Sequence, residues 1–78
     1  MAAGRLRVPD LGKVEGAIVL TAWLVASGEE VVVGQEVVEL ETSKVTFAVA
    51  SDLAGRLIPM AEAGAEVGVG DPLADILP

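Results

Sequence analysis

The chain has 78 residues, enough for one small domain, and a formal net charge of −7. It contains neither Cys nor His, which excludes disulfides, Ser-His-Asp and Cys-His catalysis, and the ordinary zinc sites. The acidic charge and the presence of only five basic residues argue against nucleic acid as a partner, since phosphate contacts need Lys and Arg. We therefore expect a domain without catalysis or a metal of its own, and no apolar run is long enough to span a membrane.

Short apolar segments separated by Gly, Pro and Asp indicate an all-β chain. The best helical candidate, residues 59–65, is explained as well by a strand followed by a turn. The pattern predicts eight strands, at 5–8, 17–25, 30–33, 36–41, 45–50, 55–60, 66–69 and 72–77. Eight short strands at this spacing favour a sandwich or a flattened barrel.

The sequence repeats itself with an offset of 36 residues. Residues 28–34, GEEVVVG, and residues 64–70, GAEVGVG, are identical at five of seven positions. The same phrase is common in turn-strand-turn segments, but the match continues beyond it, where Leu40 corresponds to Ile76. A solenoid would need at least three copies. The repeat therefore indicates a single domain, residues 1–78, with halves at about 5–44 and 45–77.

The junction of the two halves is a predicted hairpin turn at residues 42–44. It lacks the Asn-Gly or Asp-Gly that marks the tightest hairpins. Lys44 would stand at its tip, and the only other lysine, Lys13, lies in a loop. An exposed lysine is a flexible tether whose amine can form an amide with a carboxylic cofactor. Its position alone is explained better by an ordinary solvated turn residue.

The order of motifs along the chain resembles that of lipoyl domains. Residues 41–45, ETSKV, are similar to the lipoylation motif ETDKA, with Lys44 in the place of the lipoyl lysine. Ser43 departs from the Asp or Glu that often precedes that lysine, which bears on the enzymes that recognise the turn. Other phrases of the family follow in order, and the resemblance spans about residues 5–77: VPDLG at 8–12, GAIV at 16–19, WLV at 23–25, GEEV at 28–31, AGRL at 54–57, GAEV at 64–67 and VGDPL at 69–73.

The resemblance implies a lipoyl domain of the acyltransferase component of a 2-oxo acid dehydrogenase complex. The implied fold is a flattened barrel, or barrel-sandwich hybrid, of two four-stranded antiparallel sheets with pseudo-twofold symmetry. The implied cofactor is lipoate, bound covalently to Lys44, which would shuttle acyl groups and reducing equivalents between active sites. The implied partners are a thiamin-dependent 2-oxo acid decarboxylase, the acyltransferase catalytic core of the parent chain, dihydrolipoyl dehydrogenase and a lipoylating enzyme.

Partners of a lipoyl domain would recognise residues beside the arm. The resemblance implies recognition residues in the turn and in the loop after the first strand: Glu41, Thr42, Ser43, Val45, Lys13 and Glu15. We expect the isolated domain to be monomeric. A start without a presequence favours a bacterial cytoplasm over a mitochondrial matrix.

Three alternatives share the implied fold. Biotin carriers usually have Met on both sides of the modified lysine, whereas Ser43 and Val45 flank Lys44 here. Glycine-cleavage carrier proteins are lipoylated, but they are longer and have extra terminal elements. The unmodified structural domain of membrane-transport adaptors typically has a helical insertion at the hairpin, and this chain passes directly from Glu41 to Val45. These differences favour lipoate.

Overall fold

The computed structural model describes residues 4–12 and 16–78 of the chain. All regular structure in these residues is β-strand, which confirms the predicted fold class. The strands are β1 (Gly4–Arg7), β2 (Ile18–Trp23), β3 (Glu30–Val31), β4 (Glu36–Glu41), β5 (Thr46–Ala50), β6 (Gly55–Pro59), β7 (Glu66–Val67) and β8 (Pro72–Leu77).

Several strands are shorter than the sequence pattern predicts, because turns take up their exposed ends. β3 stops at Val31, and the next residues form a turn in which Gln35 N–H donates to Val32 O over 3.1 Å. The helix alternative at residues 59–65 is wrong, since β6 ends at Pro59 and bends and a turn follow. The described residues include no helix long and apolar enough to cross a membrane.

The strands form two four-stranded sheets, and every strand pair is antiparallel. Sheet A has the order β1-β8-β6-β3, and sheet B has the order β5-β4-β2-β7. The expected architecture of two flattened antiparallel sheets is confirmed, although the sheets do not close into a barrel.

Backbone hydrogen bonds beyond the strand ends join the open edges of the two sheets. Gly34 N–H donates to Ser51 O over 2.8 Å, which ties the end of β3 to the end of β5. Gly70 N–H donates to Val8 O over 2.9 Å, which ties β7 to β1 on the other side. These contacts give the sandwich its barrel-like outline.

The hydrogen bonds repeat with the offset seen in the sequence. Gly28 N–H donates to Leu57 O over 2.7 Å, and 36 residues later Gly64 N–H donates to Leu20 O over the same distance. Exchanging β1–β4 with β5–β8 converts the strand order of sheet A into that of sheet B. The pseudo-twofold symmetry implied by the resemblance is therefore present in both the topology and the bonding.

A single hydrophobic core lies between the sheets. It contains apolar residues with at most 8% exposure: Leu6, Val8, Ile18, Leu20, Val31, Val37, Val38, Leu40, Val49, Leu57, Leu73, Ala74 and Ile76. Every buried side-chain nitrogen and oxygen of the described residues has a hydrogen-bond partner. Trp23 packs against this core and its indole N–H donates to Ala61 O over 2.9 Å, which is a packing role.

β4 and β5 direct apolar side chains towards the core. Val38 and Leu40 are buried, as is Val49, and Phe47 packs partly against the core. Val45, which the predicted strand at 45–50 includes, is 56% exposed. The reason is that Val45 precedes β5 and belongs to the turn.

Replacing Gly55 by Ala is expected to lower the free energy of unfolding by about 2 kcal/mol. Gly55 has φ +152°, and a Cβ there would overlap the carbonyl oxygen of Leu77. The matched control is Gly64→Ala, at φ +94° with no atom within 4 Å of the added Cβ, which should cost only about 1 kcal/mol. Urea unfolding of both variants measures the difference, and equal losses would contradict a steric role for Gly55.

Candidate functional site

The turn that joins β4 to β5 presents Lys44 to solvent. Ser43 and Lys44 form its tip, and both are exposed. No described residue other than glycine has a positive φ, so the tip uses ordinary backbone conformations. This geometry explains why the turn needs no Asn-Gly or Asp-Gly.

Thr42 closes this turn with both its backbone and its side chain. Its N–H donates to Val45 O over 2.8 Å. Its Oγ1 accepts hydrogen bonds from Lys44 N–H over 3.3 Å and from Val45 N–H over 3.2 Å. The hydroxyl also lies 3.3 Å from Val45 O, to which it donates. Thr42 therefore binds the backbone of both Lys44 and Val45.

The turn rests on a well-packed part of the fold. β4 is a central strand, with β5 on one side and β2 on the other. Leu40, close to the turn, is fully buried and pairs with Leu20 on β2 and Phe47 on β5. Lys44 therefore projects from a well-packed base.

Lys44 lies at the end of the molecule opposite to Gly4 and Ile76. Gly4 pairs with Ile76, so the first and last strands meet side by side. Val31, which precedes the turn into β4, pairs with Gly55, next to the last residue of β8. β4 therefore starts near the end of β8 and runs towards the far end of a domain 37 Å long.

The sheet that bears Lys44 is acidic on its outer face. Val19 pairs with Glu41 on one side and with Glu66 on the other, so both carboxylates flank it. The strands of sheet B contain no basic residue, whereas all three arginines, at positions 5, 7 and 56, lie in strands of sheet A. Within residues 4–12 and 16–78, no three acidic side chains are grouped closely enough to hold a metal ion. The face suits a basic protein partner.

Four of the predicted recognition residues lie beside Lys44. Glu41, Ser43 and Val45 are exposed, and Thr42 is half-buried. The other two, Lys13 and Glu15, lie outside the described residues.

Sequence reasoning missed two features of the site. The turn-closing bonds of Thr42 could have been suspected, because Ser and Thr hydroxyls often bond to backbone two or three residues ahead. The position of Glu66 across Val19 from Glu41 had no local signal, because β7 and β4 are distant in the chain and meet only through β2.

The comparisons with known proteins show the family of the chain. Residues 4–76 match the biotin-lipoyl family model, which is described as biotin-requiring enzyme. The chain belongs to the biotin-lipoyl family. This biotin-lipoyl domain is 42% identical over 52 residues to the dihydrolipoyllysine-residue succinyltransferase component of the 2-oxoglutarate dehydrogenase complex of Bartonella vinsonii subsp. berkhoffii. That match covers 67% of this chain and 13% of the relative.

A solved structure has the same fold. It is that of a single-chain, multi-domain long-chain acyl-CoA carboxylase, with a TM-score of 0.72 and 26% identity. The match covers 94% of this biotin-lipoyl domain and 7% of the carboxylase chain. The chain therefore spans a small part of each relative, and it is a carrier domain of the lipoyl or biotinyl type.

Proposed function

We propose that this biotin-lipoyl domain carries lipoate on Lys44 and serves the acyltransferase component of a 2-oxo acid dehydrogenase complex. The observation that supports it best is the placement of an exposed lysine at the tip of a hydrogen-bonded turn. The lysine lies in the phrase ETSKV, in a chain 42% identical to a succinyltransferase component over 52 residues. The alternatives differ in the group that the lysine bears.

The residues of the turn fit a covalently attached carboxylic cofactor. The Lys44 amine would form an amide with the lipoyl carboxyl group, once a lipoylating enzyme has activated that carboxyl. Within the described part of the chain, the Lys44 side chain has no hydrogen bond or ion pair to break first. Lipoate supplies a dithiolane ring, a strained disulfide that exchanges readily. The chain itself holds and presents the arm.

The partners follow from the same proposal. A thiamin-dependent decarboxylase, the acyltransferase core and dihydrolipoyl dehydrogenase would each receive the arm in turn. The outer face of sheet B carries Glu41 and Glu66 and no arginine, which favours partner surfaces with basic residues around their active-site entrances. The Bartonella relative favours a 2-oxoglutarate decarboxylase as the partner. In a reductive acylation assay, pyruvate and branched-chain 2-oxo acid decarboxylases serve as the comparison enzymes.

Biotin is the second candidate, favoured by the likeness to a long-chain acyl-CoA carboxylase. The flanking residues oppose it, because Ser43 and Val45 stand where biotin carriers usually have Met. A direct test is to incubate the domain with lipoate, ATP and a lipoate-protein ligase, and separately with biotin, ATP and a biotin-protein ligase. We expect intact mass measurement to show one lipoyl group and no biotinyl group. Biotinylation without lipoylation would overturn the proposal.

A further inference from the structure

The hydroxyl of Thr42 has no hydrogen-bonding capacity left for a partner. A hydroxyl group has one donor and two acceptor positions. In this turn it donates to Val45 O and accepts from the N–H groups of Lys44 and Val45. Thr42 is also half-buried, whereas its neighbours on both sides are exposed. These contacts are typical of a residue that stabilises the turn. A residue that a partner protein recognises would instead keep a polar group free to bind that partner.

The hydroxyl of Thr42 also takes the place of the backbone carbonyl that accepts a hydrogen bond in an ordinary turn. In a typical β-turn the carbonyl of the first residue accepts the N–H of the fourth. Here the Val45 N–H is bonded to Thr42 Oγ1 over 3.2 Å, while the backbone bond runs the other way, from Thr42 N–H to Val45 O. The orientation of the peptide groups around Lys44 therefore depends on a side chain.

We propose that Thr42 is a positioning residue, whose hydroxyl fixes the direction in which Lys44 leaves the turn and so governs how fast the lysine is modified. The inference rests on the proposed function of Lys44. Without the hydroxyl, the N–H groups of Lys44 and Val45 lose their acceptor and turn to water, because both residues are exposed. The domain then stays folded, but the lysine samples directions that the lipoylating enzyme cannot use.

The decisive variant is Thr42→Val, which keeps the shape of the side chain and removes the hydroxyl. We expect kcat for lipoylation to fall about tenfold, in line with the loss of one or two hydrogen bonds, with KM for the domain unchanged. Thr42→Ser should restore kcat to within about twofold of wild type, because it keeps the hydroxyl. A rise in KM with unchanged kcat would make Thr42 a recognition residue and overturn the inference.

The matched control is Thr46→Val. Thr46 is exposed at the start of β5, pairs with Glu41, and its hydroxyl bonds to no other described residue. The Thr46→Val substitution therefore removes a hydroxyl near Lys44 without changing the hydrogen bonds of the turn, and kcat and KM should match wild type. A tenfold loss in Thr46→Val as well would contradict a specific role for Thr42.

A second measurement uses the unmodified domain and is independent of lipoylation. Amide hydrogen exchange at Lys44 and Val45 should accelerate about tenfold or more in Thr42→Val, and stay near wild type in Thr42→Ser and Thr46→Val. Unchanged exchange in Thr42→Val would overturn the inference even if lipoylation slowed. Failure of the wild-type domain to accept lipoate would overturn the proposed function instead, and a faster exchange in Thr42→Val would then still establish that the hydroxyl holds the turn.

Discussion

The Lys44→Arg variant is expected to fold as wild type and to accept no lipoyl group. Arginine keeps the positive charge and is at least as long, but its guanidinium stays protonated and cannot form the amide. Because the side chain of Lys44 has no bonding partner in the described structure, the free energy of unfolding should change by less than about 0.5 kcal/mol. Intact mass after treatment with a lipoate-protein ligase, with thermal melting in parallel, measures both effects.

The control for this variant is the double substitution Lys44→Arg with Arg56→Lys. It keeps the number of lysines and places one in an exposed position on β6 of sheet A. We expect it to remain unmodified, because a strand lacks the projecting tip of the turn between β4 and β5. A lipoyl group on either variant would show that Lys44 is not the specific attachment site.

The Leu40→Ala variant is expected to lose about 3 kcal/mol of stability. Leu40 has 0% exposure and pairs with Leu20 and Phe47 on the neighbouring strands, so truncation leaves a cavity in the centre of sheet B. A domain of this size is only marginally stable, and its melting temperature should fall on the order of 10–20 °C. Calorimetry or circular dichroism of the melt measures the fall.

The internal repeat provides the matched comparison for this loss. Ile76 corresponds to Leu40 in the other half and is 2% exposed, so Ile76→Ala should cost a similar amount. Leu24 is 47% exposed, and Leu24→Ala should cost less than about 1 kcal/mol. Equal losses at Leu24 and Leu40 would contradict the core derived from the structure.

Much of the fold could be predicted from the sequence, because Gly and Pro mark the turns and strand residues alternate between them. Each predicted strand overlaps an observed one, and the bounds of β4 and β8 are correct. An end of β1, β5 or β6 differs by one residue, and an end of β2, β3 or β7 by two. Strand ends depend on which exposed residues find a ladder partner. The pairing of the strands was beyond local patterns, because the ladder of β2 with β7 joins residues almost 50 positions apart.

The candidate site was less accessible to sequence reasoning. Lys44 could be identified as an attachment site only because residues 41–45 resemble the motif of a family. An exposed lysine in a turn has no chemical property that distinguishes it from an ordinary surface lysine. Thr42 was predicted as a recognition residue, and that stays a prediction; the structure adds three contacts of its hydroxyl within the turn. The sequence shows that a hydroxyl is present at position 42, and the structure is needed to identify the groups to which it bonds.

The two halves of the repeat are interlocked, which bears on how the domain melts. The first half supplies the edge strands of sheet A and the central strands of sheet B, and the second half does the reverse. Four strand ladders in the described structure, β1 with β8, β2 with β7, β3 with β6 and β4 with β5, join strands of different halves. Neither half can detach without opening both sheets, so unfolding is expected to be an all-or-none cooperative transition. β4 and β5, which support the turn that presents Lys44, should therefore stay folded until the whole domain melts.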